Sequence, residues 1–192
     1  KNKQTTRSRD DQKRADDLVK RNFNADHPDQ LWVADFTYIQ THSGWVYTAF
    51  IIDVFSRAIV GWKVSTRMNT DMVLDALEQA LHDRGMPKNV IHHSDRGVQY
   101  LSIRYTNRLE AANLRASVGT TGDSYDNALA ETVNGLYKTE VIEYLKADWQ
   151  GLADVQLATL NWVDWFNKKR VHSALGYVSP FEFEAMYYDK IN

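Results

Sequence analysis

Apolar positions change their period along the chain. Leu31-Trp-Val-Ala-Asp-Phe-Thr-Tyr-Ile39 is rich in β-branched and aromatic residues and predicts a strand. Ser43-Gly44 marks a turn. Trp45 to Val54 and Ala58 to Val64 predict two more strands, parted only by Phe55-Ser56-Arg57, so the three form an antiparallel meander. Leu74, Leu77 and Leu81 then recur at helical steps, with Thr70 as the expected N-cap and Gly85 and Pro87 as the stop. Val90 to Ser94 predicts a short strand, Ser102 to Asn113 a helix, and Leu114 to Val118 a further strand. This alternation implies parallel pairing. Gly119 to Tyr125 has no core-forming run and predicts a mobile loop. Helix is expected from near Asp126 past Lys138, and again from Trp149 to Asn167, where Leu152, Val155, Trp162 and Phe166 share a face. Val171 to Pro180 predicts a loop, and Pro180 opens a final short helix.

Composition narrows the function classes. At 192 residues the chain holds one ordinary domain, and 43% hydrophobic with 25% charged residues is a globular balance. No apolar run is long enough to span a bilayer, so no membrane role is expected. Residues 1–22 are polar and charged, so no signal peptide is expected, while Lys1 in place of methionine suggests an upstream portion. The absence of cysteine excludes disulfides, thiolate metal sites and a cysteine nucleophile. The net charge of -2 argues weakly against a nucleic-acid enzyme until its distribution is seen. Residues 1–22 carry eight basic and four acidic side chains, an arm of +4, and the body carries -6. Such an arm is either a nucleic-acid contact or a solvated linker.

Four carboxylates fall where fold economy does not want them. Asp35 lies inside an apolar strand, Asp53 follows Phe50-Ile51-Ile52, Asp95 directly follows a short strand, and Glu131 sits in a helix after the loop. Asp is depleted in strands and costly to bury unpaired. Asp53 is read as a structural partner of Arg57. Two strand-end acids converging with a helical one would suit a hard divalent cation, and two such ions support in-line phosphoryl transfer. His92 and His93 are read as packed side chains, Trp32, Trp45 and Trp62 as core, and Lys168-Lys169-Arg170 as helix C-terminal charges.

In combination these residues resemble a known family. Asp35, Asp95 and Glu131, the last two separated by 35 residues, match the DDE triad of the retroviral integrase superfamily, with Lys138 two turns beyond Glu131. The chain is most similar to transposases of the insertion-sequence-three family. The matching stretches are Leu31 to Tyr38, Asp53 to Arg57 with Val60-Gly61-Trp62, His93 to Tyr100, Asp126 to Glu131, and His172 to Pro180. The resemblance spans about residues 24–184, with Val98 and Phe166 as small departures from the family pattern.

The resemblance implies an α/β, RNase H-like fold: a mixed five-stranded sheet flanked by helices, with Asp35 on the central strand and Asp95 at the end of the fourth. It divides the chain into a basic arm or linker, 1–24, from an upstream DNA-binding domain, and an integrase-type catalytic core with C-terminal helices, 25–192. It implies two Mg²⁺ ions, replaceable by Mn²⁺, on Asp35, Asp95 and Glu131. The expected reaction is strand cleavage at element ends, then strand transfer by transesterification. Asn127, Glu131, Asn134 and Lys138 share one helix face. Lys138, Asn127 and Asn134, with Arg96 and Gln99, are therefore candidate DNA contacts. The expected partners are element-end and target DNA and further copies of the chain, in the bacterial cytoplasm at the nucleoid. Rival readings are an RNase H-like nuclease that never joins strands and a non-catalytic DNA-binding derivative. A carboxylate-pair glycosidase is set aside by the motif set.

Overall fold

A computed structural model describes residues 15–20, 22–119, 128–145 and 148–192. β1 (Leu31–Thr41), β2 (Gly44–Asp53) and β3 (Ile59–Ser65) form the meander, and β4 (Ile91–Ser94) and β5 (Arg115–Val118) complete the sheet in the order β3-β2-β1-β4-β5. β1–β2 and β2–β3 are antiparallel, while β1–β4 and β4–β5 are parallel. The sheet is therefore mixed and five-stranded, with β1 at its centre. The predicted loop at 119–125 lies, beyond Gly119, outside the described residues.

Alternation along the strands feeds two cores. Val33 of β1 and Phe50 and Ile52 of β2 point into a layer with Val133, Tyr137, Trp162 and Phe166. Trp32, Ala34 and Ile51 point the other way, onto Leu77, Leu81 and Tyr105. The first layer is closed by α3 (Ala128–Tyr137) and α4 (Leu152–Lys168), the second by α1 (Thr70–Asp83) and α2 (Ile103–Ala111). At Gly61 a Cβ would stand 2.3 Å from the Ala76 carbonyl oxygen, so only glycine lets β3 approach α1 this closely.

Local chemistry sets the helix ends. α1 is capped by Asn69, whose side chain accepts from the Met72 amide, and not by Thr70, which is the first helical residue. Ser102 caps α2. α3 widens into a π-helical turn over Lys138–Glu143. The expected loop before Pro180 contains a 3₁₀ turn, Ser173–Leu175. The last helix, α5 (Pro180–Ile191), is longer than expected and starts from a capping box of Ser179 and Glu182.

Two expectations are corrected by packing. Trp45 is not core: it is 49% exposed, because it lies beside the β1–β2 turn, beyond the reach of β4. Asp53 does not direct its carboxylate to Arg57, whose amide instead donates to the Asp53 main-chain oxygen. The carboxylate accepts from the Asp29 and Ser56 amides at 2.7 and 2.9 Å. The segment before β1 lies against the sheet edge: the Val118 amide donates to Asp16 O, the Leu18 amide to Ser117 Oγ, and Val19 is buried in the first core.

Candidate active site

Strand register brings the first two acids together. β1 and β4 pair in parallel from Leu31↔Ile91 to Ala34↔Ser94. One step further lie Asp35, still on β1, and Asp95, the first residue past β4. Parallel neighbours point their side chains to the same face, so both carboxylates leave the sheet together. β4 ends here and β1 continues, which opens a notch at the sheet centre.

The third acid arrives on α3. Asn134 Nδ2 donates to Asp35 Oδ2 at 2.9 Å and so turns one face of this helix toward β1. Glu131 lies one turn earlier on that face and is exposed. Its proximity is electrostatic as well as geometric. Burial pushes the Asp35 carboxyl up to about 6, the Phe36 amide pulls it back, and the charges of Asp95 and Glu131 raise it further. The Phe36 amide donates to Asp35 Oδ1 at 2.8 Å. Among the described residues no cationic side chain is hydrogen-bonded to Asp35.

Asp95 is held by its own turn. Its Oδ1 accepts the Gly97 amide at 2.8 Å, and a Cβ at Gly97 would sit 2.9 Å from that oxygen. Gly97 is thus a positioning residue that the residue-by-residue reading passed over, although the Asp-Arg-Gly spacing is the signal for such a turn.

The other candidates take different places. Arg96 is exposed, and its Nε donates to the Gly119 carbonyl at 2.8 Å. Gln99 is buried, with its amide 3.5 Å from the Met68 carbonyl, in the wall of the loop between β4 and α2. Lys138 places its ammonium 5.0 Å from the Tyr38 ring centroid. Asn127 lies outside the described residues. His92 and His93 are buried, bonded to Tyr105 and Ser117 respectively.

The three carboxylates make an all-oxygen donor set, which suits a hard divalent cation. Asn134 Oδ1 adds a buried oxygen with no hydrogen-bond partner among the described residues. No three His, Asp or Glu side chains among the described residues are gathered tightly enough to enclose an ion. The set fits a cation by its chemistry and by the uncompensated charge around Asp35.

Comparison with known proteins places this arrangement. A family model described as Integrase core domain matches residues 25–124, and a second with the same description matches residues 112–180. The chain is 58% identical over 177 residues to the transposase for insertion sequence element IS629 of Shigella sonnei, covering 92% of this chain and 59% of that protein. It is 38% identical over 172 residues to transposase InsF for insertion sequence IS3A of Escherichia coli (strain K12), covering 88% and 59%. The chain therefore spans about three fifths of the length of these curated relatives.

In fold it is similar to the HTLV-2 integrase catalytic core domain in complex with magnesium, with a TM-score of 0.66 at 18% identity, covering 84% of this chain and 99% of that one. It is likewise similar to a chain of the simian T-cell lymphotropic virus intasome, with a TM-score of 0.71 at 17% identity, covering 82% and 55%. The fold is RNase H-like, as the resemblance implied. With both family models covering the sheet and its helices, the chain belongs to the integrase core domain family.

Proposed function

We propose that the chain cuts DNA at the ends of an insertion element and joins the freed 3′-OH to target DNA, with Asp35, Asp95 and Glu131 as its catalytic carboxylates. The observation that carries this reading is the seating of Asp95 and of the Glu131-bearing helix around Asp35. The Ala34↔Ser94 register sets Asp95 beside Asp35, and the Asn134–Asp35 bond turns the Glu131 face of α3 toward both.

Two Mg²⁺ ions on these carboxylates, with Mn²⁺ able to substitute, would supply charge neutralisation and an activated oxygen nucleophile. The protein's share is alignment. Asn134 and the Phe36 amide fix the two oxygens of Asp35, and the Gly97 amide fixes Asp95. In the first step water attacks the phosphorus, a P–O bond breaks, and the element strand keeps a 3′-OH. In the second, that hydroxyl attacks a target phosphodiester, one P–O bond forms, and the displaced target oxygen leaves with a proton. Arg96, next to Asp95 in the chain, and Lys138, one turn beyond Asn134, serve as phosphate contacts. Gln99 and Asn134 act through their neighbours by positioning. Asn127, outside the described residues, is a further DNA contact in this reading.

In this reading residues 1–24 lead from an upstream recognition domain into the catalytic core, 25–192, with Val19 and Phe23 of the lead already packed on that core. The protein works at the bacterial nucleoid as a multimer, because two element ends must be cut. The test is Mg²⁺- or Mn²⁺-dependent cleavage and joining of element-end DNA, comparing wild type with Glu131→Gln. Cleavage and joined product lost together in the variant is the expected result. Full activity in Glu131→Gln would overturn the role of Glu131. Cleavage without joined product from a pre-cut 3′-OH end would favour the nuclease reading.

A further inference from the structure

Past the end of β4, β1 runs on as a hairpin with β2, and this extension carries two aromatic rings in solvent. Tyr38 is 54% and Trp45 49% exposed, whereas Trp32 on the same strand is fully buried. The two rings meet edge to face, with centroids 5.3 Å apart and planes at 82°, so they form a corner. Lys138 Nζ stands 5.0 Å from the Tyr38 centroid. Tyr38 lies three residues beyond Asp35, roughly 10 Å along an extended strand. Lys138 follows Asn134 by one helical turn, and Asn134 is bonded to Asp35. The corner is thus built from β1 and β2, on the sheet face opposite Asp35 by strand alternation, and its cation comes from the turn that continues α3.

We propose that the Tyr38–Trp45 corner, with Lys138, is a stacking site for one unpaired base of a bound DNA strand. The proposal rests on the DNA-processing reading above and adds a contact to it. The corner offers a base one ring face to stack on and one edge to abut, and Lys138 offers its phosphate a cation. Every base has a π-face, so the contact tolerates any sequence. It selects for an end that is unpaired. The alternative occupant, another protein surface, would call for a broader apolar patch; here Gln40 on the same strand is exposed and the neighbouring helix contributes a charge.

The experiment measures binding of the 192-residue chain, at low salt with EDTA, to three labelled duplexes. One is blunt, one carries a two-nucleotide 3′ overhang, and one carries the same overhang without bases. The normal overhang should bind about tenfold more tightly than the abasic one. Trp45→Ala and Tyr38→Ala should bring that ratio toward one, and Trp45→Phe should retain most of it. Equal affinity for the two overhangs, with blunt duplex bound and cut in Mg²⁺, would overturn the stacking site and leave the functional reading standing. No binding to any duplex would overturn both. Wild-type chain that is dimeric by sedimentation, and Trp45→Ala that is monomeric, would assign the corner to a second copy and overturn the proposal.

Discussion

Asp35 and Asp53 lie three rungs apart on one antiparallel ladder, Asp35 opposite Phe50 and Asp53 opposite Trp32. Burial pushes both carboxyls up to about 6. Their surroundings then diverge. Asp53 accepts the amides of Asp29 and Ser56, and Ser56 Oγ donates to Glu184 at 2.6 Å. Arg84 binds Glu184 with NH1 and NH2 at 2.8 and 3.0 Å and reaches Asp29 with Nε at 2.8 Å. This knot ties β2, α1 and α5 together and contains its own cation. Asp35 has one amide and one carboxamide, and beyond them two more acids. A carboxylate cluster with its counter-charge inside the fold is architecture. One that lacks it is prepared for a cation from outside.

The largest expected effect tests this contrast at the open cluster. Glu131→Gln should lower single-turnover DNA cleavage by about 10³-fold or more, with little change in thermal unfolding, because Glu131 is exposed. The counterpart in the closed cluster should do the reverse. Arg84→Ala leaves Glu184 and Asp29 without their cation and should destabilise the fold by about 3 kcal/mol in urea unfolding, with cleavage per folded molecule retained.

A third test uses the shared pKa shift. An unfolded aspartate titrates near 3.9, and Asp35 titrates at about 6 in the fold. Between about pH 4 and 6 the folded chain thus binds more protons than the unfolded one, so stability is highest at the acid end and is lost as pH rises through 6. Asp35→Asn removes that penalty and should stabilise the metal-free protein at pH 7 by about 1–3 kcal/mol. Asp53→Asn should not, because its two oxygens accept fixed main-chain amides that a carboxamide NH₂ would oppose, whereas the Asn134 carboxamide can turn its oxygen toward a new NH₂ at position 35. Urea titrations at pH 4.5 and pH 7 separate the two. Added Mg²⁺ should raise the melting temperature of wild type and leave Asp35→Asn nearly unmoved. The smallest effect is expected at Gly97→Ala, where the new methyl crowds Asp95 Oδ1. Cleavage should fall about tenfold with the fold intact, measured as kcat at saturating metal.

Several features were legible before any coordinates. β1 to β5 fall within a residue or two of the predicted runs, because β-branched and aromatic stretches and their turn punctuation are local signals. The same locality limits the reading. Trp45 has strand composition but stands beyond the neighbouring strand, so its composition misleads about burial. Asp53 seemed to belong with Arg57, four residues away. Its network instead runs through Ser56 to Glu184, 128 residues from that serine. Gln99 reads as a loop amide, yet the loop folds over it.

By itself the sequence determined which chemistry was on offer: oxygen ligands without thiols, a DDE order with its interval, and strands and helices in the sequence that carries them. Tertiary structure decided what those groups are. It placed Asp95 beside Asp35 through a parallel register set by β1 and β4. It docked the helix that carries Glu131 onto β1 through the Asn134–Asp35 bond. It also tied one aspartate into a network that contains Arg84 and set the other among further acids. The reason is physical: periodicity and capping act within a few residues, whereas the field at a carboxylate depends on which distant charges the fold brings near it.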